Sequence, residues 1–178
     1  MRIAKPLNAL ATLGSAAHHG FERRAGVGVF LEPWLGRRNT NRLWAILLPY
    51  GLLGAIRGHA RDEPTLAFNA GIATAGAVVH FSEWPWSLRL GFIPWLDEAE
   101  GLSPAQMPAY NVILLSWLLS GAASVVLETR PEHRKFALVG LATAPLLAAS
   151  ARHHFAWAAE QARQDPARWS PALVASPA

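Results

Sequence analysis

The chain contains no cysteine. That excludes a disulfide framework, a zinc ribbon, an iron–sulfur cluster and a thiol nucleophile, and it leaves the redox compartment unreadable. Charge is also scarce. Asp, Glu, Lys and Arg together make up 16% of the residues, against about 25% in an average soluble domain. There is no Walker loop, no Ser–His–Asp arrangement and no Asp-rich prenyl-diphosphate motif. What is present is apolar: 52% hydrophobic residues, eight Trp, 14 Gly and 13 Pro in 178 residues. Such a chain is too apolar to be disordered and has the length of one domain. The net charge of +4 and the pI near 10.3 could point to nucleic acid. The arginines, however, sit in short clusters between apolar blocks, which is the membrane pattern; no nucleic-acid partner is expected.

A hydrocarbon core about 30 Å thick needs about 20 helical residues, with roughly 17 as a lower limit. The blocks Thr65–Phe81 and Tyr110–Leu127 carry no charge, Phe136–Ala151 is apolar, and Leu43–Ile56 falls just short. Pro64 and Pro131 stand where helices could start. The N-terminus allows two readings. Met1–Lys5 followed by the mildly apolar Pro6–Leu13 and the small residues Gly14–Ala17 could be a cleaved signal peptide, or a short first membrane helix.

An internal repeat favours the helix. LNALATLGSAAHHGFE (Leu7–Glu22) aligns with FNAGIATAGAVVHFSE (Phe68–Glu83). Each continues into a Gly–aromatic–Pro–Trp–Leu segment, Gly28–Leu35 and Gly91–Leu96, and Glu22 to Trp34 and Glu83 to Trp95 are both twelve residues. Similar apolar blocks follow, Ala45–Ala55 and Val112–Ala122, and a partial third copy starts at Phe136. The expectation is an all-α integral membrane bundle of about five transmembrane helices, at 4–20, 43–57, 64–82, 109–128 and 135–158, with repeat units at 7–63, 68–132 and 136–160. It forms a single domain over 1–160 with a loose polar tail at 161–178. Residues Arg23–Arg42 and Glu83–Pro108 become interfacial connections, with Trp34, Trp84, Trp86 and Trp95 in the headgroup zone. Basic residues divide almost evenly between the two sides, with a lean to a cytoplasmic Arg23–Arg42. The location expected is the cell (inner) membrane.

Odd-numbered spans run in one direction, so their C-terminal ends meet one membrane face. Those ends carry His18, His19 and Glu22, then His80 and Glu83, then His153 and His154. On a helix, His at i and Glu at i+3 project from one face. Imidazole with carboxylate suits zinc, iron or manganese, and the mirrored Glu–x–x–His spacing serves di-iron bundles. Ionisable groups in a span mark function by default. His18, His19, His80, His153 and His154 are therefore candidate metal ligands, and Glu22 and Glu83 candidate ligands or proton acceptors. Whether His18 or His19 faces inward stays open, since adjacent helical residues diverge by about 100°. Glu160, seven residues from His153, is about 10 Å further along the helix and is left out. Asn69 and Asn111 are candidates for hydrogen bonds between helices, and the Gly and Ala residues of spans three and five for close helix approach.

His19, Glu22, Pro33 and Trp34, or equally His80, Glu83, Pro94 and Trp95, resemble the motif of the bacterial HXXEE family of small multi-span proteins. Phe68, Asn69 and Thr74 resemble a Tyr–Asn–Pro–Gly…Thr segment of that family. The second Glu of the motif is Arg23 or Trp84 here, and the Pro–Gly is Ala70–Gly71. The resemblance spans a third of the chain and implies a multi-pass membrane protein without implying a reaction. The repeated His–x–x–His–His boxes of membrane desaturases are missing.

These readings converge on a metal-dependent enzyme acting on a lipophilic small molecule. It would be an iron oxidoreductase first, or a zinc hydrolase with a Glu as general base. The rival is a non-enzymatic membrane subunit of a larger complex, holding haem or a pigment through axial histidines. Expected partners are membrane lipids and either another membrane protein or further copies of the chain.

Overall fold

A computed structural model of the chain describes residues 3–175. Met1 and Arg2 of the basic N-terminal stretch, and residues 176–178 of the tail, lie outside the described residues. The fold is a helical bundle with one small hairpin. Its elements are α1 (Pro6–Ala25), α2 (Glu32–Arg57), α3 (Glu63–Glu83), β1 (Trp86–Arg89), β2 (Ile93–Leu96), α4 (Met107–Leu127), α5 (Arg134–Leu141), α6 (Ala144–Gln164) and α7 (Pro171–Ala175).

Proline and glycine punctuate these elements. Pro occupies the first turn of α1, α2, α3, α4 and α6, where its missing N–H costs no hydrogen bond. Left-handed Gly26 and Gly58 close α1 and α2. Helix α1 has no side-chain cap of its own. The Glu128 carboxylate, arriving from the end of α4, instead accepts the N–H groups of Leu7 and Asn8, both at 2.8 Å. It satisfies two orphan donors and places negative charge at the positive end of the helix. Gly36 interrupts α2 with φ 70° and ψ 157°, and Pro49 lies within the same helix.

Three helical stretches are long and apolar enough to cross a membrane: Ala60–Glu83, Met107–Leu127 and Pro131–Gln164. The third, expected as one span over 135–158, is broken at Ala142–Thr143 into α5 and α6. Pro145 in the first turn of α6 cannot donate to the preceding turn. Helices α1 and α2 have the length but not the composition. Asn8, Thr12, His18, His19 and Glu22 on α1 are all buried, whereas Leu10 and Leu13 are exposed.

Packing between helices depends on small residues. Helix α3 packs on α4, α5 and α6, and α1 on α2 and α4. A Cβ on Gly71 of α3 would collide with the Ala137 carbonyl of α5, and one on Gly140 would come within 2.7 Å of Ile72 N. Gly14 of α1 and Gly76 of α3 both lie against the Trp117 side chain of α4. The main core surrounds that indole: Ala11, Ala73, Ala77, Leu96, Tyr110 and Leu114. Asn69 bonds between helices, as expected. Asn111 instead ties α4 to the hairpin, accepting from Leu96 N at 2.7 Å and donating to Leu96 O at 3.0 Å.

The tail expected to be loose is exposed over 163–168 but packs again from Trp169 to Leu173. Ser170 N donates to Gly26 O at 2.9 Å. Leu173 is fully buried in a cluster with Val27, Phe155, Ala158 and Ala162. Leu173, the Trp169 ring on Trp157 and the Ser170 bonds to Gly26 and Gly101 dock it, and average polarity does not register that.

Candidate metal centre

The C-terminal turns of α1 and α3 meet side by side, and Asn8 and Asn69 meet near their starts. The two helices therefore run parallel. On α1, His18 and Glu22 are four residues apart and share one face; both are buried. His18 Nε2 lies 3.4 Å from Glu22 Oε1. From α3, the His80 ring meets the His18 ring edge to face, with centroids 4.8 Å apart. One ligand atom from each of His18, Glu22 and His80 lies within 4.8 Å of the other two. Among the described residues this is the only such group of three.

The surroundings orient each member. His80 Nδ1 lies 2.7 Å from Gly76 O. A carbonyl only accepts, so Nδ1 carries the hydrogen and Nε2 keeps a free lone pair. That is the arrangement by which metal-binding histidines are usually held. Tyr110 of α4 donates its hydroxyl to Glu22 Oε1 at 3.2 Å. The Trp117 indole stacks on His18, with centroids 4.9 Å apart and planes 24° from parallel. His18 Nδ1 is buried without a hydrogen-bond partner. A buried polar atom without a partner is costly in a stable core and invites a ligand or a proton.

The other candidates stand outside this trio. His19 donates through Nδ1 to Ser15 O at 2.7 Å, and its ring lies against Trp44 with centroids 4.1 Å apart. His154 donates through Nε2 to Val27 O at 3.0 Å, leaving its buried Nδ1 unbonded. His153 is exposed beside Trp34, with ring centroids 5.0 Å apart. Glu83 accepts two bonds from Arg152 Nη1, both 2.8 Å. The spacing His–x–x–Glu thus does not carry the group; on α1 the pair is His18 with Glu22, one residue wider. The rotation of α1 about its axis decides this, and packing against Trp117 sets that rotation.

Sequence reasoning missed Tyr110, Trp117, Trp44 and the ion pair of half-buried Arg23 with buried Glu32. For Tyr110 a signal existed: a phenol in an otherwise apolar run needs a partner for its hydroxyl. Arg23 also donates to Asn41 at 2.6 Å, so this arginine ties α1 to α2 beside the trio.

The cluster opens into a cavity of about 360 Å³, into whose wall His19 and His154 also project. The arrangement offers two imidazoles and one carboxylate, buried, next to an apolar space. No protein-family model, no curated protein and no solved structure matches this chain, so the chemistry has to be read from these side chains themselves.

Proposed function

We propose that the chain is a multi-pass protein of the cell (inner) membrane whose His18, Glu22 and His80 hold one iron or zinc ion and act on a lipophilic small molecule. The observation that carries this reading is the buried trio itself: three ligand atoms from two helices within 4.8 Å, where an ordinary core would place apolar side chains. Two histidines and one carboxylate with positions left open form the donor set suited to oxidation on iron, or to hydrolysis on zinc. His80 is held by its bond to the Gly76 carbonyl, and the Tyr110 hydroxyl holds Glu22 in place. Trp117 forms an apolar wall that keeps water from His18. Glu83, neutralised by Arg152, is not assigned a step.

Five spans remain the proposed topology. Leu10 and Leu13 on α1, and Ile46, Leu47 and Leu53 on α2, point outward; a polar inner face with an apolar outer one suits lipid on the outside. The duplication is likewise proposed. Asn8 and Asn69 occupy equivalent places in the aligned segments and bond to each other. His19 and His80, also equivalent, each donate to the carbonyl four residues earlier. The resemblance to the HXXEE family agrees with a multi-pass protein and brings no activity. A haem- or pigment-binding subunit finds less support, because the edge-to-face rings of His18 and His80 leave no flat slot between them.

Metal analysis of the purified protein tests the proposal. One iron or zinc per chain is expected, lost in His80→Ala. Wild-type protein without metal, or equal metal content in His80→Ala, overturns it, and a Soret band would turn the reading to the subunit.

A further inference from the structure

The cavity beside the trio has a shape as well as a volume. Its wall on α3 runs from Thr65 to His80, about 22 Å along the axis at 1.5 Å per residue. On α2 it runs from Trp44 to Gly54, and on α1 from Thr12 to Glu22. The cavity of about 360 Å³ is drawn out along α3. Its lining is mostly apolar, with Thr12 and Asn69, which bond to each other, and Ser15 as polar groups along its length. The histidines and Glu22 lie at one end and Asp62 and Thr65 at the other, while Leu48, Ile72 and Ala73 lie between. Gly51 and Gly54 of α2 border it without side chains, so the backbone itself forms part of the wall. Leu47 and Tyr50, on the same wall, are exposed, so the groove opens sideways along α2, on the face where the proposed topology puts lipid.

We infer that this groove takes a single linear aliphatic chain, with its functional end at His18, Glu22 and His80 and its tail lying along α3 toward Thr65. This rests on the proposed function for the identity of the reacting end, but not for the chain itself. The elongated form matches a linear chain, and a short chain leaves most of the apolar wall uncovered. Burying apolar wall gives about 25 cal/mol per Å², so affinity rises with chain length until the groove is full. Entry is lateral, from the bilayer between α2 and α3.

The test uses metal-free protein in nanodiscs and a hexadecanol carrying a diazirine at the carbon farthest from its hydroxyl. After illumination, the labelled residues are mapped by peptide mass spectrometry. Labelling is expected at Gly54, Thr65, Leu66 and Phe68. Excess hexadecanol should suppress it at least tenfold, and excess cholesterol should not. Gly51→Phe places a ring in the middle of the groove, where a Cβ meets the Thr12 side chain at 3.4 Å, and circular dichroism confirms that the variant keeps its helix content. Its labelling at Thr65, Leu66 and Phe68 should fall at least tenfold, while an octanol probe with the same terminal diazirine still labels the wall near Trp44. Labelling spread evenly over the outer faces of the helices, equal competition by cholesterol, or an unchanged pattern in Gly51→Phe each overturns the inference. Because the metal is absent throughout, a chain that binds here while metal analysis fails leaves the groove standing and removes the enzyme reading. The reverse result removes only the groove.

Discussion

Asn69 of α3 donates through Nδ2 to Asn8 Oδ1 of α1 at 2.9 Å, across 61 residues of sequence. The same Nδ2 lies 3.1 Å from Thr12 Oγ1, and Asn8 in turn donates to Leu66 O at 2.7 Å. This small polar network locks the two parallel helices near their starts, and so helps to determine how His18 and His80 face each other near their ends.

Asn69→Ala should therefore loosen α1 against α3. Polar pairs between membrane helices are worth about 0.6 kcal/mol on average and up to about 1.7 kcal/mol, and a loss in that range is expected. Asn8→Ala together with Asn69→Ala should cost less than the sum of the two, since they share one bond. Unfolding in a denaturing detergent series measures both, and strict additivity would contradict the network.

Adjacent histidines should behave differently. His18→Ala removes a member of the trio, so zinc affinity should fall by more than the roughly 10–100-fold typical of outer partners. His19→Ala, with its ring against Trp44 and its Nδ1 on Ser15 O, should stay within about tenfold of wild type, below most of that outer-partner range. Glu22→Gln should follow His18→Ala, and Glu83→Gln should follow His19→Ala. Competition against a chromogenic chelator gives all four constants. A His19→Ala loss as large as that of His18→Ala would reverse the assignment.

Tyr110 bonds to the centre through Glu22, and its ring lies beside both imidazoles, with centroids 5.6 Å from His18 and 5.9 Å from His80. Tyr110→Phe keeps the ring and removes one donor, at a cost to folding of about 1 kcal/mol. Metal affinity should drop about 10–100-fold while helix content is retained. The same chelator competition, with circular dichroism beside it, reads both. An unchanged affinity would mean that the carboxylate is held by other contacts.

Helix α5 leans on α3 through two glycines. Gly71→Ala places a methyl group on the Ala137 carbonyl, and overpacking of this kind costs about 1–3 kcal/mol. Gly20→Ala on α1, where a Cβ meets nothing within 4 Å, should be neutral or slightly stabilising, since Ala is the better helix former. Thermal unfolding of the two variants side by side checks the contrast, and equal melting temperatures would contradict the close approach.

Much of this was legible in the chain. The uncharged blocks Thr65–Phe81 and Tyr110–Leu127 became α3 and α4, because length and apolarity specify such helices locally. The clustering of histidines and glutamates at helix ends was also visible, as was the role of Gly and Ala in close approach. The break between α5 and α6 was not, because Thr143–Pro145 sits inside a run whose average polarity barely changes. The fate of Glu83 was hidden as well: its partner Arg152 is 69 residues away, and no local spacing announces it.

The amino-acid order alone determined which stretches become apolar helices and which of their ends carry imidazole and carboxylate, since both follow from local composition and the helical period. Only the tertiary structure decided that His18, and not His19, joins Glu22 and His80. Neighbours on a helix point about 100° apart, and the choice between them is made by how α1 is rotated against Trp117, Tyr110 and α3, which are brought to it from distant parts of the chain.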